Sequence, residues 1–260
     1  MTIRKTTLGQ WPLALAALAA IWGGLALWPC PAAACPMTST SLTGITIRVS
    51  DGQDAGEMTW LLQPSQTDGD RYGWSLSEPV AITSGGRVLA TVTSLIVSID
   101  VDPGVELKFE VTAPPSAKRF TITSVVVPFS AIINPLAYAT AAVTVTDNDG
   151  DGATLTGLYP GIKAYRASYN AAPVDWAYLV DPVVVDPDCS NVGMQRQPTT
   201  GGRLVIPATL TSIRSEFDFL LSANDQASGT SRFDVQIPEP ATLALLALGG
   251  MGMLLRRRRK

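Results

Sequence analysis

The chain contains no histidine among its 260 residues. This absence excludes catalytic triads that use an imidazole base, and it excludes zinc sites built on histidine. The sequence also lacks the Gly-x-Ser-x-Gly nucleophile motif, the phosphate-binding P-loop and the glycine-rich dinucleotide fingerprint. Paired carboxylates could serve a glycosidase, but nothing marks one pair of acidic residues among the others. The sequence therefore predicts that the protein is not an enzyme.

Cysteine is scarce as well, and the chain has only Cys30, Cys35 and Cys189. Cys30 belongs to an N-terminal segment that we expect to be removed. Cys35 and Cys189 then remain, and in an oxidising compartment a disulfide between them is the simplest expectation. Two free thiols, or a lipid attached to Cys35, are the alternatives.

Basic residues are few between the two ends of the chain. Without Arg4, Lys5, the five cations at 256–260 and Glu239, 12 Lys and Arg and 21 Asp and Glu remain, a net charge of −9. This charge argues against a nucleic-acid partner and against an anionic membrane surface. A domain with this net negative charge favours cations as ligands.

Residues 1–34 follow the order of a secretory signal peptide. Arg4 and Lys5 supply the charged start, and Trp11–Trp28 is an uncharged run rich in alanine and leucine. Ala32–Ala34 then offers an Ala-x-Ala cleavage site. We expect signal peptidase to cut there and the protein to be exported, although so long a run could also remain as an anchor.

The C-terminal segment, residues 237–260, combines a chain break, an apolar run and a basic end. Pro238, Glu239 and Pro240 should end the folded part, because proline lacks an N–H and disfavours helix in the residue before it. Ala241–Leu255 follows, with 15 uncharged residues. As a helix it would span roughly 22 Å, less than the roughly 30 Å hydrocarbon core of a bilayer.

Five cations close the chain: Arg256, Arg257, Arg258, Arg259 and Lys260. Cations cross a membrane at high cost, so this basic stop should stay cytoplasmic and everything upstream should lie outside. The short apolar run and the basic stop together predict a transient anchor in the inner membrane. A plain tail anchor or a buried apolar helix are the other interpretations.

This order resembles the PEP-CTERM sorting tail of exported proteins in Gram-negative bacteria that make exopolysaccharide or biofilm matrix. The resemblance is confined to the last two dozen residues, which many unrelated domains carry. It implies recognition by an exosortase, a membrane-embedded cysteine transpeptidase, with cleavage near Pro238-Glu239-Pro240. It also implies a location in the cell envelope or the extracellular matrix, with exopolysaccharide as a possible partner.

Residues 35–236 remain as the secreted domain, and their patterns are those of β-strands. In Val105–Val111, apolar residues alternate with charged ones, which is typical of a strand with one dry and one wet face. No stretch outside the two ends repeats apolar residues with helical spacing over three turns. We therefore predict an all-β antiparallel sandwich of about ten strands, flanked by an N-terminal signal helix and a C-terminal hydrophobic helix. Asp181–Gly202 is expected to be a long loop.

A short acidic stretch carries the clearest chemistry in this domain. Asp147, Asp149 and Asp151 stand at positions one, three and five, and Gly152 at position six permits a sharp turn, so their oxygens could hold Ca²⁺. The pattern resembles the first half of an EF-hand-type or dockerin-like loop. It departs from that pattern at positions nine and twelve, where Leu155 and Leu158 replace ligands. Asp-Gly between alternating strands also signals a hairpin, which we expect with or without Ca²⁺.

Five aromatic residues follow the acidic stretch: Tyr159, Tyr165, Tyr169, Trp176 and Tyr178. Exposed rings stack on sugars, so a secreted carbohydrate-binding module is the alternative to a non-catalytic envelope or matrix protein. Core packing and strand pairing are the simpler explanation of the same residues. Coplanar, exposed rings would favour the module, and rings buried between two sheets would argue against it.

Overall fold

The computed structural model describes residues 42–62, 65–68, 71–100 and 102–236. These residues form 18 β-strands in two antiparallel sheets of nine strands each. The all-β class and the paired antiparallel sheets agree with the prediction, while the expected count of about ten strands is too low. The two flanking helices of the prediction, and the segments 1–34 and 237–260, lie outside the described residues.

The strands in chain order are β1 (Leu42–Ser50), β2 (Ala55–Leu62), β3 (Ser65–Asp68), β4 (Arg71–Ser75), β5 (Val80–Ser84), β6 (Arg87–Asp100), β7 (Gly104–Thr112), β8 (Lys118–Thr123), β9 (Val127–Ile133), β10 (Leu136–Thr146), β11 (Ala153–Gly157), β12 (Tyr165–Tyr169), β13 (Val174–Leu179), β14 (Val183–Val185), β15 (Ser190–Gln197), β16 (Leu204–Val205), β17 (Thr209–Leu221) and β18 (Gln226–Gln236).

Sheet A is organised around the long strand β17. Its main order is β13-β12-β17-β8-β1-β2, with β9, β11 and β14 attached beside this path. One edge of β17 pairs with β12 and β11, and the other edge pairs with β8 and β9. Two short strands thus share each edge of β17, so a thirteen-residue strand is paired along most of its length.

Sheet B is organised around the last strand. Its main order is β15-β10-β18-β7-β6-β4-β3, with β5 pairing with β6 and β16 pairing with β10. β18 lies between β10 and β7 and pairs with both in antiparallel register. The C-terminal strand of the domain is therefore central in its sheet.

The core lies between the two sheets and is filled by alternate residues of each strand. In β10, for example, every second residue from Ala137 to Val145 is buried, as the two-residue period of a strand requires. Aromatic rings join the layers: Phe109 of sheet B meets Phe217 of sheet A with ring centroids 5.0 Å apart, and Trp176 of sheet A stacks on Phe233 of sheet B at 5.3 Å. These contacts make the two sheets one sandwich.

The segment Asp181–Gly202 is not the long loop that was predicted. It contains β14 and β15, and β15 pairs with β10 through eight residues at the edge of sheet B. The sequence Ser190–Gln197 is polar and largely exposed, so it lacks the apolar alternation by which strands are recognised. Its strand conformation comes from pairing with β10.

Within the described ranges, the structure contains no helix that could cross a membrane.

Candidate functional site

The acidic turn, residues 147–152, connects the two sheets. It joins β10, which pairs with β15, β16 and β18, to β11, which pairs with β14 and β17. The predicted hairpin is therefore wrong, because the strands on either side of the turn belong to different sheets. Gly150 and Gly152 have positive φ angles of 82° and 91°, which glycine adopts without strain. The two glycines thus allow the chain to turn from one layer to the other.

The turn brings the three predicted metal ligands together. One oxygen from each of Asp147, Asp149 and Asp151 lies within 4.8 Å of the other two. Asp147 is buried, whereas Asp149 and Asp151 are exposed to solvent. The arrangement has the donor chemistry of a cation site with an open side, and metal binding itself stays a prediction.

Asp147 is fixed by backbone amides. The N–H of Asp188 donates to its Oδ2 at 2.6 Å, and the N–H groups of Gly150 and Asp149 donate to its Oδ1 at 3.1 and 3.3 Å. These hydrogen bonds, that from Asp188 first among them, hold the pKa of Asp147 below its ordinary value. Asp147 is therefore ionised at neutral pH and held in place before any cation arrives.

Asp149 and Asp151 repel each other. The hydrogen bond from Asp151 to Asp149 and the charge of Asp149 raise the pKa of Asp151. A proton or a cation between the two carboxyl groups relieves this repulsion. Ca²⁺ takes all-oxygen ligand sets and would replace that proton.

A second loop, between β17 and β18, completes the acidic end of the sandwich. Asn224 Nδ2 donates to Asp149 Oδ2 at 2.7 Å, and the backbone N–H of Asn148 donates to Asp225 Oδ1 at 3.4 Å. Asp225 is fully buried, and burial raises the pKa of its carboxyl group, which accepts a hydrogen bond from the Ser222 hydroxyl. Asp225 could not be predicted from sequence spacing, because the pairing of β10 with β18 is what brings its loop next to the acidic turn.

The other positions of the loop pattern supply no ligand. Leu155, at position nine, is buried in the core, and Leu158, at position twelve, carries no oxygen on its side chain. Ca²⁺ takes about six to eight oxygen ligands, so backbone carbonyls, water or the neighbouring loop would have to supply the rest. The residues present fit a weak Ca²⁺ site.

The five aromatic residues do not form one surface. Tyr165 is fully buried, with its hydroxyl 2.9 Å from Ser215 Oγ, while Tyr169 and Trp176 pack against the core. Tyr159 and Tyr178 lie together, but their rings are tilted by 34°. The described aromatics thus offer no row of coplanar, exposed rings.

Tyr159 instead belongs to a polar network on sheet A. Its hydroxyl donates to Glu216, and Glu216 also accepts a hydrogen bond from Arg166 at 2.8 Å. The Arg166 guanidinium lies over the Tyr159 ring, 4.9 Å from its centroid, and Arg166 also pairs with Asp175. Burial, followed by the charge of Glu216, raises the pKa of Tyr159 far above its ordinary value. Every carboxylate named here has a cationic or hydroxyl partner, which is typical of a structural network.

Cys189 is exposed in the turn between β14 and β15, and its backbone N–H donates to the Asp186 carbonyl at 3.2 Å. Cys35 lies outside the described residues. The predicted Cys35–Cys189 disulfide therefore stays a prediction.

The described residues end where the sorting tail begins. β18 runs to Gln236, which pairs with Leu136 of β10, and Pro238, Glu239 and Pro240 follow outside the described residues. In the sequence, only Ile237 stands between Gln236 and the Pro-Glu-Pro tripeptide. The basic stop, Arg256–Arg259, also lies outside the described residues.

Comparison with known proteins adds information only at this end. No curated protein sequence matches the chain. Among solved structures, a chain of infectious bursal disease virus, Gx strain, is 12% identical, with a TM-score of 0.28, and the match covers 76% of this chain and 58% of that chain. A chain of the Gt strain is 9% identical, with a TM-score of 0.21, and the match covers 85% and 74%. These TM-scores are too low to support an argument.

The family comparison matches residues 236–259 to the PEP-CTERM protein-sorting motif. The match begins at the last residue of β18 and includes the Pro-Glu-Pro tripeptide, the apolar run and four of the five terminal cations. The match spans the residues that resemble a PEP-CTERM tail in the sequence, and it confirms that resemblance. The C-terminal end of this chain is a PEP-CTERM protein-sorting motif, the signal of an exported protein that is targeted to an exosortase.

Proposed function

We propose that the protein is a non-catalytic component of the cell envelope or the exopolysaccharide matrix. In this proposal a signal peptide directs export, the sorting tail holds the chain transiently in the inner membrane, and an exosortase cuts near Pro238-Glu239-Pro240. The β-sandwich is then the part that is retained outside the cell membrane.

One observation carries the proposal: the sorting motif starts at Gln236, where the last strand ends. A cut at the Pro-Glu-Pro tripeptide would leave all 18 described strands on one fragment. The polar network around Glu216 supports a non-catalytic role, because its carboxylates are held by arginine and tyrosine side chains.

The test compares the mass of the protein in two bacterial strains that differ only in an exosortase gene. In the strain with the enzyme, we expect a product that has lost the residues after the Pro-Glu-Pro region. In the strain without it, and for a variant with Pro238, Glu239 and Pro240 all replaced by alanine, the tail should stay attached. A wild-type product of equal mass in both strains would contradict the proposal.

We further propose that the acidic turn binds Ca²⁺ and stabilises the sandwich. The convergence of Asp147, Asp149 and Asp151 supports this, because a bound cation would remove the repulsion between Asp149 and Asp151. Asp147 would supply a fixed oxygen, and Asp149 and Asp151 would face the solvent from which the ion arrives. The ion would stabilise the acidic turn, through which the chain passes from sheet B to sheet A.

Thermal unfolding of the purified full chain tests this second proposal. At a Ca²⁺ concentration of about 100 times Kd, the gain in stability is about 2.7 kcal/mol. For a domain of this size we expect the Tm to rise by roughly 5–10 °C.

Asp149→Asn should abolish the rise, and Glu78→Gln serves as the matched control because Glu78 is exposed and lies outside the acidic turn. Equal Tm shifts in these two variants, or no shift of the wild-type Tm with Ca²⁺, would contradict Ca²⁺ binding by the acidic turn.

A further inference from the structure

One rim of the sandwich surrounds the point where the tail leaves the domain. We call it the tail rim and define it as residues 102–104, 133–136 and 204–208, with Gln236. Leu136 pairs with Gln236 on one side and with Val205 on the other. Backbone hydrogen bonds join the same segments: Val235 N donates to the Pro103 carbonyl at 2.8 Å, and Ile206 N donates to the Pro135 carbonyl at 2.9 Å. These segments and the start of the tail are therefore neighbours.

The tail rim exposes three large aliphatic side chains. Ile133 is 69% exposed, Leu204 46% and Val205 48%. Single exposed aliphatic residues are ordinary on a protein surface. Here three lie on two neighbouring segments beside the start of the tail, an arrangement that would suit contact with another apolar phase.

The length of chain after the rim identifies that phase. Only the four residues 237–240 separate Gln236 from the uncharged run Ala241–Leu255. The five Cα steps from Gln236 to Ala241 reach at most about 18 Å when fully extended. If the uncharged run is inserted in a bilayer, the tail rim lies within about that distance of the membrane surface, whatever path these residues take.

The distribution of charge favours the same orientation. On or beside the tail rim, Asp102 and Arg203 are exposed and of opposite charge. Asp100 and Asp234 pair with Arg232 at 2.9 and 2.7 Å, and Asp100 also pairs with Arg71 at 2.7 Å, so these charges sum to zero. The unbalanced negative charge of the acidic turn lies at the other end of β10. The eleven residues of that strand place the two ends roughly 33 Å apart at about 3.3 Å per residue.

We propose that the tail rim rests on the lipid bilayer, with Ile133, Leu204 and Val205 in the headgroup region, for as long as the tail is inserted. The inference depends on the membrane anchoring in the proposed function and adds the orientation of the domain. The domain then stands with the tail rim down and the acidic turn directed away from the membrane. In that orientation the Pro-Glu-Pro tripeptide lies at the bilayer surface, within reach of a membrane-embedded enzyme.

A pair of matched fluorescent labels tests this orientation. In a full-length chain with Cys30, Cys35 and Cys189 replaced by serine, Val205→Cys places a label on the tail rim. Val184→Cys places the control label on β14, near the acidic turn, at a valine that is 65% exposed. Both variants are reconstituted into phosphatidylcholine vesicles that carry a headgroup-level quencher, and circular dichroism checks that both fold alike.

Two readouts separate the proposals. Flotation with the vesicles, compared with that of a chain ending at Gln236, reports anchoring by the tail, and quenching reports contact of the rim with lipid. We expect both variants to float, with strong quenching of the label at position 205 and little at position 184. Flotation with equal quenching at both positions would overturn the orientation and leave the anchoring intact. Failure of both variants to float would overturn the anchoring, and the orientation with it.

Discussion

Gly229 of β18 leaves room for the ring of Phe109, which lies in the core between the two sheets. It pairs directly with Phe109 of β7, and a Cβ atom at this glycine would lie 2.2 and 2.3 Å from Phe109 Cε1 and Cζ. The ring cannot move aside, because Phe109 is 2% exposed and packs against Phe217 and Phe219, with ring centroids 5.0 and 6.0 Å away. Gly229→Ala should therefore strain the core.

The expected size of the effect follows from two opposing contributions. Inserting a methyl group into a packed core costs about 1–3 kcal/mol. Replacing a strand glycine by alanine returns roughly 0.5–1 kcal/mol, because alanine loses less conformational freedom on folding. Gly229 does not have a positive φ angle, so alanine can adopt its backbone conformation without strain. We expect a net loss of about 1–2 kcal/mol, which lowers the Tm by roughly 2–8 °C in a domain of this size.

Thermal and urea unfolding of the purified protein measures this loss. Thr230→Ala is the control, because Thr230 is the next residue of the same strand and is exposed. Shortening the opposing side chain with Phe109→Leu should remove most of the penalty, so the two substitutions together should cost less than the sum of their separate effects. A Gly229→Ala protein as stable as the wild type would show that the Phe109 ring does not restrict the side chain at position 229.

Three further predictions concern buried or paired polar groups. Hydrogen bonds from backbone N–H groups and from the buried Lys118 hold the pKa of Asp51 well below its ordinary value. The ionised form of Asp51 therefore stabilises the fold at any pH above the unfolded pKa of about 3.9. This stabilisation is lost as the pH falls below about 3.9. A plot of Tm against pH should consequently fall less steeply on the acid side for Asp51→Asn than for the wild type, and parallel curves would contradict this. Tyr165→Phe should cost about 1 kcal/mol in urea unfolding, because it removes the buried hydrogen bond to Ser215; no loss would show that this bond is energetically neutral. Since the pKa of Asp151 is raised, protons should compete with Ca²⁺, and calorimetric titration should find weaker Ca²⁺ binding at pH 5 than at pH 7. Equal affinity would contradict competition between a proton and Ca²⁺ at Asp151.

The fold class could be predicted because the strands follow a simple physical rule. Burying one face of a strand requires alternate apolar residues, and β7 and β10 show that alternation clearly. The connections could not be predicted in the same way. An Asp-Gly turn between two alternating strands is compatible with a hairpin and with a crossing between sheets. Which one forms depends on distant partners such as β18 and β17.

The acidic site shows the same division between local and distant information. Spacing alone places Asp147, Asp149 and Asp151 on one turn, because neighbouring residues of a tight turn cannot separate far. The contribution of Asn224 and Asp225 follows from pairing between β10 and β18, whose ends meet at Thr146 and Gln226. Local patterns contain no trace of that pairing.

The position of β18 also sets the order in which the domain can be completed. β10 and β7 make no pair with each other, so sheet B exists as two separate halves until β18 lies between them. The strand that joins the halves is the last of the described strands to be synthesised, and the sorting motif begins at its final residue. Folding therefore cannot finish before the ribosome has reached the sorting signal. The sorting motif consequently becomes available only on a chain that already contains every described strand of the sandwich.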